Sequence, residues 1–182
     1  MQWEITIMRD ECEFWCKLKN QLSPEQQQEI LDWEKDQVYV TFEYDYQGES
    51  TWDGNYVANK FSKSDVPSCI HELWPEAVDL CEKILLMKNT GNVLKHDDAA
   101  RKCSITIPLN YTDTCTRFYD DEDTTDQTYI ELYHRGEAYL QDNSVSHSVE
   151  DNGVEYRYFL QLSFFEKSYN EVKEILGARG YF

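Results

Sequence analysis

The chain has 182 residues, with 35 Asp and Glu against 17 Lys and Arg, for a formal charge of −18. That length suits one domain with an ordinary core, and 41% hydrophobic with 14% aromatic residues is too apolar for a disordered acidic chain. The charge excludes proteins that grip nucleic-acid backbones or anionic membranes, because both tasks need a basic face.

The opening, MQWEITIMRDE, has neither the basic start nor the apolar centre of an export signal. No stretch approaches the roughly 20 apolar residues of a membrane span. The reading is cytoplasmic, with Cys12, Cys16, Cys69, Cys81, Cys103 and Cys115 reduced. Residues 10–21 place Cys12, Trp15, Cys16 and Leu18 at helical spacing and read as a helix. No second Cys/His pair follows Cys12 and Cys16 at zinc-site spacing, so these two read as buried thiols. Ser23-Pro24-Glu25-Gln26 is an N-cap followed by proline, opening a helix that ends near Trp33. Gln37-VYVTFEYDY is β-branched and aromatic and reads as a strand; Gly48 to Gly54 reads as a turn. From Glu76 to Lys88, the positions of Ala77, Leu80, Cys81, Ile84 and Leu85 predict a helix.

After Gly91 the pattern changes. Lys102-CSITIPLNY, Thr116-RFYD, Thr128-YIELYH, Gly136-EAYLQDN, Ser146-HSV and Glu155-YRYFLQLSFF are short runs separated by turn residues. That is the pattern of an all-β barrel or sandwich. Ser168 to Ala178 returns to helix, with Val172, Ile175 and Leu176 on its apolar face. The expected organisation is one domain over 1–182. It has a helical and irregular part at 1–90, a β core at 91–167 and a closing helix at 168–182.

Four histidines compete for a functional role. His71 at a helix entry and His134 before Gly136 read as surface or capping residues. His96 stands in Lys95-His96-Asp97-Asp98, and His147 leads into a strand. Residues i and i+2 of an extended chain point to the same side, so His96 and Asp98 form one arm of a ligand set. His147 is the second histidine, from a distant strand. Two imidazoles and one carboxylate with open coordination positions suit a non-haem Fe(II) centre. Such a site also needs a cation for the far carboxylate of an oxo-acid cosubstrate. Arg157, one of six arginines, lies ten residues beyond His147 in an apolar strand. Its planar fork matches a carboxylate and stays charged when buried. Arg101 reads either as a salt bridge on the barrel rim or as a contact to substrate or cosubstrate. Tyr139, Tyr156 and Tyr158 read as core or as pocket lining. The run Asp120-Asp121-Glu122-Asp123, with Asp126, lacks the glycine and terminal glutamate of an EF-hand loop. It reads as a solvated loop near the site entrance, whose functional role would be to attract a basic peptide or amine.

The segment from His96 to Phe165 resembles the catalytic core of the Fe(II)- and 2-oxoglutarate-dependent dioxygenases. The resemblance is carried by His96-Asp97-Asp98, Arg101-KCSITIPL, Gly136-EAYLQDNSVSHSV and Tyr156-RYFLQLSF. Leu140-QDNSVSHSV followed by Arg157 is similar to the aspartyl/asparaginyl β-hydroxylase branch, which lacks the metal-binding carboxylate present here as Asp98. His96-x-Asp98 is similar to the prolyl 4-hydroxylase-like branch, which usually carries lysine where Arg157 stands. The resemblance implies a mostly β fold with flanking helices and a double-stranded β-helix (jelly-roll, cupin-like) core. It implies Fe(II) held by His96, Asp98 and His147, with 2-oxoglutarate paired to Arg157. The implied activity is hydroxylation of an amino-acid or peptidyl side chain, releasing succinate and CO2, with O2 and an amino-acid, peptide or small-molecule substrate as the implied partners. The alternatives are a non-catalytic jelly-roll binding or structural protein, or an oxygenase acting on a nucleotide or other small metabolite.

Overall fold

In the middle of the large sheet, polar residues alternate with apolar ones and both are buried, as Ser104 and Thr106 are between Cys103, Ile105 and Ile107 and as Gln161 and Ser163 are beside Leu160, Leu162 and Phe164. That pattern builds two antiparallel sheets with a cavity between them. The computed structural model describes residues 13–35, 40–41, 56–110, 114–119, 129–150, 153 and 156–182. In chain order the strands are β1 (Trp15–Gln21), β2 (Val40–Thr41), β3 (Tyr56–Phe61), β4 (Lys83–Asn89), β5 (Val93–His96) and β6 (Cys103–Pro108). They continue with β7 (Cys115–Phe118), β8 (Tyr129–Leu132), β9 (Glu137–Asp142), β10 (His147–Val149) and β11 (Arg157–Phe164). The helices are α1 (Pro24–Glu34), α2 (Ser68–Leu73), α3 (Pro75–Leu80) and α4 (Tyr169–Ala178). The larger sheet has seven strands in the order β1-β9-β6-β11-β4-β3-β2, and the smaller has four in the order β5-β10-β7-β8. This is the mostly β, double-stranded arrangement with flanking helices that the sequence leads one to expect.

One face of the large sheet is the core. Ile84 and Leu86 of β4, Ile105 and Ile107 of β6, Leu140 of β9, and Leu160, Leu162 and Phe164 of β11 are buried against Ile30, Ile70, Trp74, Val172 and Leu176 of the helical layer. Each fully buried aliphatic side chain contributes roughly 1.5–3 kcal/mol. Helices α1 and α4 begin with complete capping boxes, Ser23 with Gln26 and Ser168 with Glu171, which satisfy otherwise orphaned N–H groups. Gly136, at φ +82°, connects into β9 where a Cβ would lie 2.2 Å from Gln27 Nε2. Any side chain there would clash as well as strain the backbone.

Two predicted helices are corrected. Residues 15–21, inside the predicted helix 10–21, form strand β1, which pairs with β9 through Trp15↔Gln141 and Cys16↔Leu140. The part of that prediction before residue 13, Cys12 included, lies outside the described residues. Cys16 and Leu18 are two apart as well as sharing the helical stripe, and their alternation with Trp15 and Lys17 prevails in the sheet. The predicted helix 76–88 ends after Leu80. Cys81 is extended at ψ 148°, and Lys83–Asn89 is strand β4. This central strand is covered on both faces, so its apolar run carries no clean two-residue period. Residues 1–90, read as helical and irregular, thus place β1, β2, β3 and β4 in the large sheet. Most of the predicted strand 37–46, the turn 48–54 and the acidic run 120–126 lie outside the described residues.

Cys16, Cys69, Cys81, Cys103 and Cys115 are buried free thiols. Burial pushes the Cys69 and Cys81 thiols up to about 11, which keeps them protonated and inert. Among the described residues no helix is long and apolar enough to cross a membrane.

Candidate metal and cosubstrate site

The second face of the large sheet looks into a cavity of about 520 Å³, closed on the other side by the small sheet. His96 ends β5 and His147 begins β10, and the two are register partners across that strand pair. Their rings lie 4.5 Å apart between centroids. Asp98 follows β5, with its N–H donating to the Asn143 carbonyl at 3.0 Å. One ligand atom from each of His96, Asp98 and His147 falls within 4.8 Å of the others. The structure therefore brings together the three residues singled out from the sequence.

The tautomers follow from the backbone. His147 Nδ1 sits 2.8 Å from the Val145 carbonyl, and His96 Nδ1 sits 2.8 Å from the Leu94 carbonyl. A carbonyl only accepts, so each Nδ1 donates its proton and each Nε2 presents a lone pair to the cluster. Burial, and then the neighbouring His96, push the His147 pKa down to about 4, so its ring is neutral near pH 7. Asp98 is the third donor. Its burial opposes ionisation, but the Arg101 charge leads the effects that outweigh this and hold the carboxyl below its usual value.

Arg101 binds Asp98 Oδ2 through Nε at 2.9 Å and Nη2 at 2.5 Å. The other carboxylate oxygen, Oδ1, faces His96 Nε2 at 3.9 Å. One oxygen is thus committed to Arg101 and the other to the cluster. Arg101 also donates to Gln161 Oε1. From there a buried polar line continues: Gln161 Nε2 reaches Ser104 Oγ, Thr106 Oγ1 donates to Gln141, Gln141 donates to the Tyr133 hydroxyl, and Tyr133 pairs with Thr116 at 2.7 Å. Sequence reasoning singled out Arg101 but none of the six residues beyond it. Alternate polar residues in a strand ordinarily signal a solvent face, and here that face is interior. Among the described residues the tyrosine lining the cavity is Tyr133, whereas Tyr139, Tyr156 and Tyr158 are not on its wall.

Arg157 is 1% exposed and lines the same cavity. Its guanidinium donates to Asn89 Oδ1 and the Glu150 carbonyl, each at 3.0 Å, and to the Gly91 carbonyl. Gly91 adopts φ 71°, a left-handed conformation that glycine takes at little cost, and this turn presents the carbonyl to Arg157. All three acceptors are neutral, and among the described residues no carboxylate forms an ion pair with Arg157. A buried cation without an anion is costly. Beyond the His96↔His147 pair, β5 and β10 continue to Val93↔Val149. The Gly91 and Glu150 carbonyls that Arg157 holds lie just past that second pair. Cluster and guanidinium therefore sit at two levels of one cavity, with Val93 and Val149 between them.

The donor set fits a divalent metal of the Fe(II) type, with two imidazole nitrogens and one carboxylate oxygen converging and the remaining directions open to the cavity. No protein-family model matches this sequence, and no curated protein matches it. Solved structures do match. A prolyl-4-hydroxylase from Pseudomonas putida is similar over 84% of this chain and 92% of its own, at 14% identity and TM-score 0.58. A prolyl hydroxylase from Trichoplax adhaerens, in complex with a hypoxia-inducible-factor peptide fragment, is similar over 86% of each chain, at 13% identity and TM-score 0.57. The epimerase SnoN of nogalamycin biosynthesis, solved with Fe3+, α-ketoglutarate and nogalamycin RO, is similar over 82% of this chain and 77% of its own, at 11% identity and TM-score 0.55. The chain has the double-stranded β-helix fold of the 2-oxoglutarate- and Fe(II)-dependent oxygenases.

Proposed function

We propose that this chain is a non-haem Fe(II)- and 2-oxoglutarate-dependent oxygenase that hydroxylates an amino-acid, peptidyl or small-molecule substrate. The observation that carries the reading is the pairing, in one cavity, of a His-Asp-His cluster with a buried arginine whose partners among the described residues are all neutral. The fold shared with the oxygenases supports it.

In this reading His96 Nε2, His147 Nε2 and Asp98 Oδ1 hold the iron, and Arg157 holds the distal carboxylate of 2-oxoglutarate. The chemistry such a centre supplies is oxidation by O2 coupled to loss of CO2 from the oxo acid, leaving succinate. The chain's own residues do the positioning. The Val145 and Leu94 carbonyls fix the two imidazole tautomers. Arg101 takes one oxygen of Asp98 and so restricts the carboxylate to a single-oxygen ligand. Val93, Val149, Met87, Phe118 and Phe159 give the cavity an apolar wall, and a less polar surrounding strengthens the charge interactions inside it.

The test is ligand-dependent stability in the presence of Mn(II), which does not turn over. With 2-oxoglutarate at about a hundred times its Kd, the folded state gains roughly 2.7 kcal/mol. Wild type should show this gain, and Arg157→Met should lose most of it while still binding Mn(II). A wild-type protein that 2-oxoglutarate does not stabilise, and that releases no succinate with Fe(II) and O2, would contradict the proposal.

A further inference from the structure

The cavity wall reverses the charge balance of the chain. The protein carries 35 acids against 17 Lys and Arg. Among the described residues that line the cavity, the cations are Lys60, Lys83, Arg101 and Arg157, and the acids are Asp97 and Asp98. Two of these cations are already committed, Arg101 to Asp98 and Gln161, and Arg157 to the cosubstrate end under the function proposed above. Lys60 and Lys83 remain.

Their placement follows from strand register. On β3, Lys60 stands directly opposite Leu85 of β4, and Lys83 is two residues before Leu85 on the same face. The two lysines are thus diagonal neighbours across a strand pair, about 7–8 Å apart at the backbone. Among the described residues neither forms an ion pair with a carboxylate, and Lys83 Nζ lies 4.3 Å over the Phe165 ring. Two like charges on adjacent strands repel, and an anion between them relieves the repulsion. The register also sets their distance from the reacting centre. Gln161, which Arg101 links to Asp98, pairs with Leu85, whereas Arg157 pairs with Asn89. The lysines therefore flank the cluster on the side away from Arg157.

We propose that this end of the cavity is an anion subsite, in which Lys60 and Lys83 hold the carboxylate or phosphate of a small acidic substrate. The proposal rests on the cosubstrate occupying the Arg157 end. It runs against the expectation, drawn from the acidic run 120–126, of a basic peptide or amine: the chain is acidic, but the described wall of the cavity is not.

The test uses full-length protein with Zn(II) and saturating 2-oxoglutarate, and phenylacetate, phenyl phosphate and phenylacetamide as probes in saturation-transfer NMR. At least one acid should bind about tenfold tighter than the neutral amide, the scale of one charge-assisted hydrogen bond. The arm that shows the preference tells carboxylate from phosphate. Lys60→Gln/Lys83→Gln should abolish the preference and leave 2-oxoglutarate affinity unchanged. Acids that bind no better than the amide, a preference that survives the double variant, or acids that bind only by displacing 2-oxoglutarate would each overturn the subsite. A lysine-dependent acid preference in a protein that does not bind 2-oxoglutarate would instead overturn the oxygenase reading and leave the subsite standing.

Discussion

The two faces of the large sheet share the same strands and do opposite work. On β11, Leu160, Leu162 and Phe164 enter the helical core, while Arg157, Phe159 and Gln161 line the cavity. On β4, Ile84 and Leu86 pack outward, while Lys83, Leu85, Met87 and Asn89 face in. Because successive side chains point to opposite faces, each strand alternates between a residue that stabilises the fold and one that shapes the cavity. Mutations one position apart should therefore fail in different ways.

The largest effect on folding is expected on the outer face. Phe164→Ala removes a fully buried ring and should cost about 4 kcal/mol, read by chemical denaturation. The protein that remains folded should keep its response to 2-oxoglutarate. A loss of that response at temperatures where the variant is folded would break the division between faces. On the inner face, Arg157→Met should weaken 2-oxoglutarate by about a hundredfold or more, near 3 kcal/mol, the scale of a desolvated charge pair truncated on one side. Calorimetry checks this directly. Gln161→Leu, smaller in effect than either, strips an acceptor from Arg101 and should cost roughly 1–2 kcal/mol of stability, together with a measurable loosening of metal affinity through Asp98. Unchanged metal affinity would show that the Arg101–Gln161 link does not position the ligand.

The smallest effect is expected away from both faces. Arg117 holds Glu150 through an exposed hydrogen bond at 2.7 Å, and that bond keeps the Glu150 carboxyl below its ordinary range. A depressed carboxylate contributes stability above its unfolded pKa and loses it as the pH falls through the lower folded value. Arg117→Ala should flatten the acid limb of the stability profile slightly, by under about 0.5 kcal/mol, because the pair is exposed to solvent. A larger change would place Arg117 among the residues that support the site.

The same alternation explains what the sequence disclosed and what it hid. His96, Asp98, His147 and Arg157 were legible because their residue types are rare in apolar strands and their order matched a known ligand pattern. The strands from Cys103 to Phe164 were legible through their turns. Residues 15–21 and 83–89 read as helix because Cys16 and Leu18 fit both periods, and because β4 is covered on both sides. Gln161, Thr106 and Gln141 were hidden for the opposite reason: polar residues alternating with Leu160, Ile105 and Leu140 look like a solvent face until a second sheet covers them. Lys60 and Lys83 carry no motif at all, and only strand register brings them together.

The central claim is that His96, Asp98 and His147 bind iron beside a 2-oxoglutarate held by Arg157. Anaerobic titration with Fe(II) and 2-oxoglutarate, followed by visible absorption, tests it most directly. Wild type should develop a weak charge-transfer band that requires both additions, and His147→Ala should develop none. Indistinguishable titrations of the two proteins would contradict the account.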